Sequence, residues 1–94
     1  MMRLRVRKVV VANAGTPVPG PAVLTKKFIL AALENNGLIF YGGPDIDATH
    51  RGELLGKESR EFTAPVGQDL DLSQLRIDSS VNGEGVEVIY YEHF

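Results

Sequence analysis

At 94 residues the chain holds one hydrophobic core and leaves no room for two, so we expect a single domain over residues 1–94. A hydrophobic share of 44% argues against disorder, and no apolar run approaches the roughly 20 residues that cross a bilayer. Cysteine is absent, which excludes a disulfide framework, a thiolate nucleophile and Cys-ligated zinc, and the formal charge of −2 hides a strong asymmetry. Arg3, Arg5, Arg7 and Lys8 place +4 on the first eight residues, and the rest of the chain carries −6. A positive edge on an acidic body favours pairing through complementary potentials. Met1 to Lys8 is basic, but Val9 to Ala12 is too short for the apolar core of a secretion signal.

The first element runs from Arg3 to Ala12. Leu4 and Val6 share one parity and Arg3, Arg5 and Arg7 the other, the period of a half-buried strand with its valine and leucine turned inward. From Val9 to Val11 both parities are apolar, so the strand is expected to run into deeper cover. Asn13 to Pro17 breaks it, and Pro17, Pro19 and Pro21 with Gly20 confine the next stretch to a loop or a sheet edge.

Lys26 to Glu34 carries two signals. Thr25 and Gly37 could bound a helix, whereas Phe28, Ile29 and Leu30 suit a buried strand. We favour the strand, turned by Asn35-Asn36-Gly37 into a hairpin with Leu38 to Tyr41. Asp45 to Gly56 reads as a polar loop with a short strand near Leu54 and Leu55. Glu58 to Ala64 forms another strand, with Arg60, Phe62 and Ala64 on one face. Leu70, Leu72, Leu75 and Ile77 approach the core, Asn82 to Gly85 makes a tight turn, and Val86 to Tyr91 closes the domain as a strand. Six to eight short strands separated by Gly, Pro and Asn turns predict an all-β fold, a small antiparallel β-sandwich or jelly-roll-like barrel.

Candidate chemistry is sparse. His50 and His93 are the two histidines, too few for a cupin-type metal site, and His50 beside Asp45 and Asp47 reads as a hydrated loop histidine. Asp45, Asp47, Asp69 and Asp71 lack the spacing of a calcium loop and suit turn capping instead. Gly42-Gly43 and Gly83-Glu-Gly85 lack the downstream Lys-Ser/Thr of a phosphate cradle. No catalytic residue, cofactor or metal is assigned, and no enzyme activity is expected. Nucleic-acid binding is disfavoured, because the aromatics sit in core-like runs and the body is acidic. A carbohydrate-binding module would need Tyr41, Tyr90 or Tyr91 exposed as a platform, and at least two of them are expected to be buried or at an interface.

Several segments together carry a resemblance. They are Lys8-Val-Val-Val-Ala-Asn-Ala-Gly-Thr-Pro17, Ile39-Phe-Tyr-Gly-Gly43 with the acidic Pro44-Asp-Ile-Asp47, the segment Gly52 to Gly56, Asp71-Leu-Ser-Gln-Leu-Arg-Ile-Asp78, and Asn82-Gly-Glu-Gly-Val86. The set resembles small virion proteins of tailed bacteriophages, often called capsid decoration or cement proteins. Ala31-Ala32-Leu33 and Thr49-His-Arg51 depart from that pattern. The resemblance implies a protein that binds the major capsid protein, or another virion protein, as a homo-oligomer, commonly a trimer. It implies location in the virion after assembly in the host cytoplasm, with no direct contact to nucleic acid or membrane. Neck, tail and head-fibre positions are alternatives of the same kind. The expected contact residues are Arg3, Arg5 and Arg7 on the first strand and Asp45, Asp47, His50 and Arg51 in the long loop.

Overall fold

Period-2 patterning dominates the chain, and strands follow wherever it holds. The computed structural model describes residues 2–33 and 37–93. It is all-β, with strands β1 (Met2–Val11), β2 (Val18–Pro19), β3 (Leu24–Thr25), β4 (Lys27–Ala32), β5 (Ile39–Gly42), β6 (Gly52–Leu54), β7 (Ser59–Thr63), β8 (Leu70–Asp71), β9 (Arg76–Ser79) and β10 (Glu84–His93). One turn of 3-10 helix, Leu72–Gln74, interrupts the series, with the Asp71 carboxylate accepting from the Ser73 N–H at 3.0 Å as its cap. Among the described residues the count exceeds the six to eight expected, because β2, β3 and β8 are two-residue pairings.

Two four-stranded antiparallel sheets are ordered β1-β10-β4-β7 and β2-β9-β5-β6, and β3 and β8 form a small separate pair. Their inward residues meet in one core. The first sheet contributes Val9, Val11, Phe28, Leu30, Ala32, Val86, Val88 and Tyr90, the second contributes Ile39, Leu54 and Ile77, and Leu72 joins them from the 3-10 turn. An aromatic chain links the sheets at the β7 side. Phe28 stacks on Phe62 with centroids 4.9 Å apart, Phe62 meets the Tyr41 ring edge-on at 5.6 Å, and Arg60 donates to the Tyr41 hydroxyl at 2.7 Å.

The ambiguous segment is a strand. Phe28, Leu30 and Ala32 are buried in alternation, so period 2 outweighs the helix propensity of Ala31 and Ala32. The hairpin expected there does not form. β4 lies between β10 and β7, whereas β5 pairs with β6 and β9 in the other sheet, so the chain changes sheets between them. Both strands bury residues in the shared core, each from its own sheet. The proposed turn residues Asn35 and Asn36 lie outside the described residues. The proline-rich stretch behaves as expected, with β2 at the edge of its sheet.

The first strand needs a larger correction. Val9 and Val11 are buried, and they share parity with the arginines, not with Leu4 and Val6. Leu4 and Val6 therefore point away from the core and stand 57% and 54% exposed. The physical reason lies in Lys8, which shares their parity. Turning that face inward would set a lysine ammonium between Val6 and Val10 in the core, at a desolvation cost that exceeds the gain from two apolar side chains. Opposite β1, Gly85 of β10 comes so close that a Cβ there would collide with the Val9 carbonyl and crowd the Val10 Cα. Gly83 completes the preceding turn at φ 82°.

Candidate functional site: the edge strand β1 and its two faces

β1 is ten residues long and forms an edge of the first sheet, with β10 on one side only. Its register against β10 sets Arg3 opposite Glu92, Arg5 opposite Tyr90 and Arg7 opposite Val88. All three arginines are exposed. Arg3 is engaged by Glu92, its Nη2 lying 2.6 Å from the carboxylate. That hydrogen bond holds the Glu92 carboxyl below its ordinary range, and the charges of Arg3, Arg5 and Arg7 add to the effect. Arg5 and Arg7 form no ion pair or side-chain hydrogen bond among the described residues. A strand edge flanked by two exposed guanidinium groups can donate hydrogen bonds to carboxylates and backbone carbonyls of a partner.

The other face of the same sheet gathers apolar side chains at its centre and along β1, with charged ones among them. One rung of the ladder reads Val6, Ile89, Ile29 and Glu61 across all four strands, and the next reads Lys8, Glu87, Ala31 and Ser59. Leu4 stands opposite Tyr91, and Met2, Leu4, Val6, Val10 and Tyr91 are all exposed. Met2, Tyr91 and the exposed Leu24 surround a hollow of about 250 Å³, with the Lys26–Asp69 ion pair at its rim. Exposed apolar side chains gathered on one sheet face mark a contact surface, unlike scattered single ones.

The loop residues form a separate group. Asp45, Asp47, His50 and Arg51 lie between β5 and β6 in the second sheet, whereas β1 packs on β10, β2 and β9. The Asp47 carboxylate accepts from the Thr49 and His50 N–H groups at 2.8 and 2.9 Å, from the Thr49 hydroxyl at 2.9 Å and from His50 Nδ1 at 2.9 Å. The Thr49 N–H, then the His50 side chain and the Thr49 hydroxyl, hold the Asp47 carboxyl far below the ordinary carboxylate range. The hydrogen bond to Asp47, and then its charge, raise the His50 imidazole above its ordinary value. This is the turn-capping role expected of Asp47, and Asp71 plays it at the 3-10 turn, whereas Asp69 pairs with Lys26 instead. Arg51 lies over the Phe40 ring, its guanidinium carbon 3.6 Å from the centroid, and Asp45 is exposed. The seven expected contact residues thus divide into a cationic strand and a self-satisfied loop.

Of the three tyrosines, Tyr90 is buried, Tyr41 is half-buried against Phe62, and Tyr91 is exposed on the apolar face, so they do not form a common platform. Among the described residues no group of three or more His, Cys, Asp and Glu is placed to hold a metal ion, and no helix is long and apolar enough to cross a membrane. Leu4 and Val6 as outward residues escaped the sequence reading. The signal was Lys8, whose parity forbids that face from entering the core. No protein-family model, curated protein or solved structure matches the chain.

Proposed function

We propose that this protein is a non-enzymatic contact module that docks on an acidic protein surface through the arginine face and free edge of β1. The observation that carries this reading is the pair Arg5 and Arg7, exposed on one face of an edge strand and without an ion pair or side-chain hydrogen bond among the described residues. Two cations held about 7 Å apart by a strand match carboxylates at the same spacing on a partner strand or rim. The resemblance to small tailed-phage virion proteins supplies the setting. In it, the module decorates a bacteriophage head, bridging neighbouring capsid subunits from the lattice surface. We read the two four-stranded sheets as the halves of a small β-sandwich, a stiff body suited to mechanical bridging. Repetition on a lattice would let many weak docking contacts act together.

Co-sedimentation with purified phage heads tests the proposal. The wild-type chain should pellet with heads at low salt and be released as salt rises, because surface ion pairs are screened. The double variant Arg5→Glu, Arg7→Glu should stay in the supernatant with an unchanged far-ultraviolet circular dichroism spectrum. Undiminished pelleting of that variant would remove the arginine face from the contact.

A further inference from the structure

We infer that the apolar outer face of the first sheet joins two copies of this chain face to face. The inference is carried by a different face from the arginines and stands whether or not those dock on a particle.

Six of the exposed large apolar side chains converge on this region: Met2, Leu4, Val6, Val10 and Tyr91 on β1 and β10, and Leu24 at the hollow beside them. Ile89 and Ile29 continue the Val6 rung inward across the sheet, half-buried. The face is thus apolar through its centre and along one border. Four strands about 4.8 Å apart and some eight residues at about 3.4 Å make a face of roughly 500 Å². A pair of copies would bury about 1,000 Å², the lower bound of a specific interface.

Charge selects a second copy as the occupant. The outer face carries Lys8 and Lys27 against Glu87 and Glu61, two of each sign, with Lys27 and Glu61 paired at 3.2 Å. A face with balanced signs meets itself without gathering like charges, whereas a strongly acidic or basic partner finds no net complement there. The arginine side could not serve this purpose, because pairing it with itself would oppose like charges. Two sheets packing face to face bury alternate residues of both in the way that sheets pack within a domain. The hollow at Met2, Leu24 and Tyr91 takes an apolar side chain from the facing copy. Such contact is isologous and closes at two copies, not the three that the virion resemblance implies.

Light scattering with size exclusion on the full chain at about 100 µM tests this, a concentration that populates a dimer of micromolar affinity. The expected mass is about twice the 10.3 kDa of one chain. Val6→Glu should return the mass to one copy, and Val6→Thr, which keeps strand propensity, should weaken pairing about tenfold. Arg5→Glu should leave the doubled mass intact. A single-copy mass for the wild type, a triple mass, or a doubled mass indifferent to both Val6 variants would each overturn the inference. A wild-type chain that pairs but does not pellet with heads would instead count against the docking proposal alone.

Discussion

The two halves of β1 obey the same alternation and live in different environments. At its C-terminal end Val9 and Val11 are buried over the second sheet. At its N-terminal end the same parity carries Arg3, Arg5 and Arg7 into solvent, and the opposite parity carries Leu4 and Val6 there too. A strand cannot change parity without a bulge, so its covered end dictates which way the uncovered end must face. The apolar residues of the overhang are left outside, where a second surface can use them. Covered chain specifies the fold, and overhanging chain is available for contact.

The strongest way to break that comparison is to put the same charge in each half. Val11→Asp should cost more than about 4 kcal/mol, enough to unfold a domain of this size, because the carboxylate would be buried without a partner. Val6→Asp should change the stability of the single chain by less than about 1 kcal/mol in urea unfolding at low concentration. Comparable losses at the two positions would mean that the overhang is covered. A smaller effect is expected where β10 presses on β1. Gly85→Ala must push the Val9 carbonyl aside and should cost about 1–3 kcal/mol, read as a lower urea midpoint with an unchanged slope. Val11→Ala, which leaves a cavity and no charge, should cost about 2 kcal/mol in the same experiment.

The smallest effect concerns the loop that the arginine strand does not reach. His50 titrates higher folded than unfolded, so its contribution to the turn is complete below about pH 6.5 and fades as pH rises through the folded value. Asp47 titrates lower when folded, so its contribution is present above about pH 4 and fades as pH falls toward the depressed folded value. The turn is tightest between these limits. A proton nuclear magnetic resonance titration should place the His50 transition above 6.5, and Asp47→Asn should bring it back down. A His50 transition unaffected by Asp47→Asn would dissolve the pair and free both residues to act as contacts.

Much of this molecule was legible before any coordinates. Phe28, Ile29 and Leu30 read as a buried strand and form one, and the turn read at Asn82 to Gly85 precedes the closing strand, although Glu84 and Gly85 already belong to β10. The capping roles of Asp47 and Asp71 follow from short carboxylates placed just before backbone N–H groups. Other features were invisible for a physical reason. Alternation names two faces without saying which one is covered, and adjacency in sequence does not say which strands share a sheet. β4 and β5 therefore read as a hairpin although they belong to different sheets. The hollow draws Met2, Leu24, Lys26, Asp69 and Tyr91 from separate stretches of the chain, and no local pattern could have gathered them.

By itself the sequence determined an all-β chain with defined breaks, a cationic first strand and the carboxylates of Asp47 and Asp71 committed to their own turns. These are local matters, settled by side-chain period, by proline and glycine geometry and by charges near in sequence. Lys8 was a local signal for the facing of β1, but only the tertiary structure decided it. Burial of Val9 and Val11 in a core shared with strands far along the chain fixed the parity of the whole strand, turning Leu4 and Val6 outward and leaving Arg5 and Arg7 beside an open edge. Burial is a long-range quantity, and it outweighs the local preference of two exposed apolar side chains.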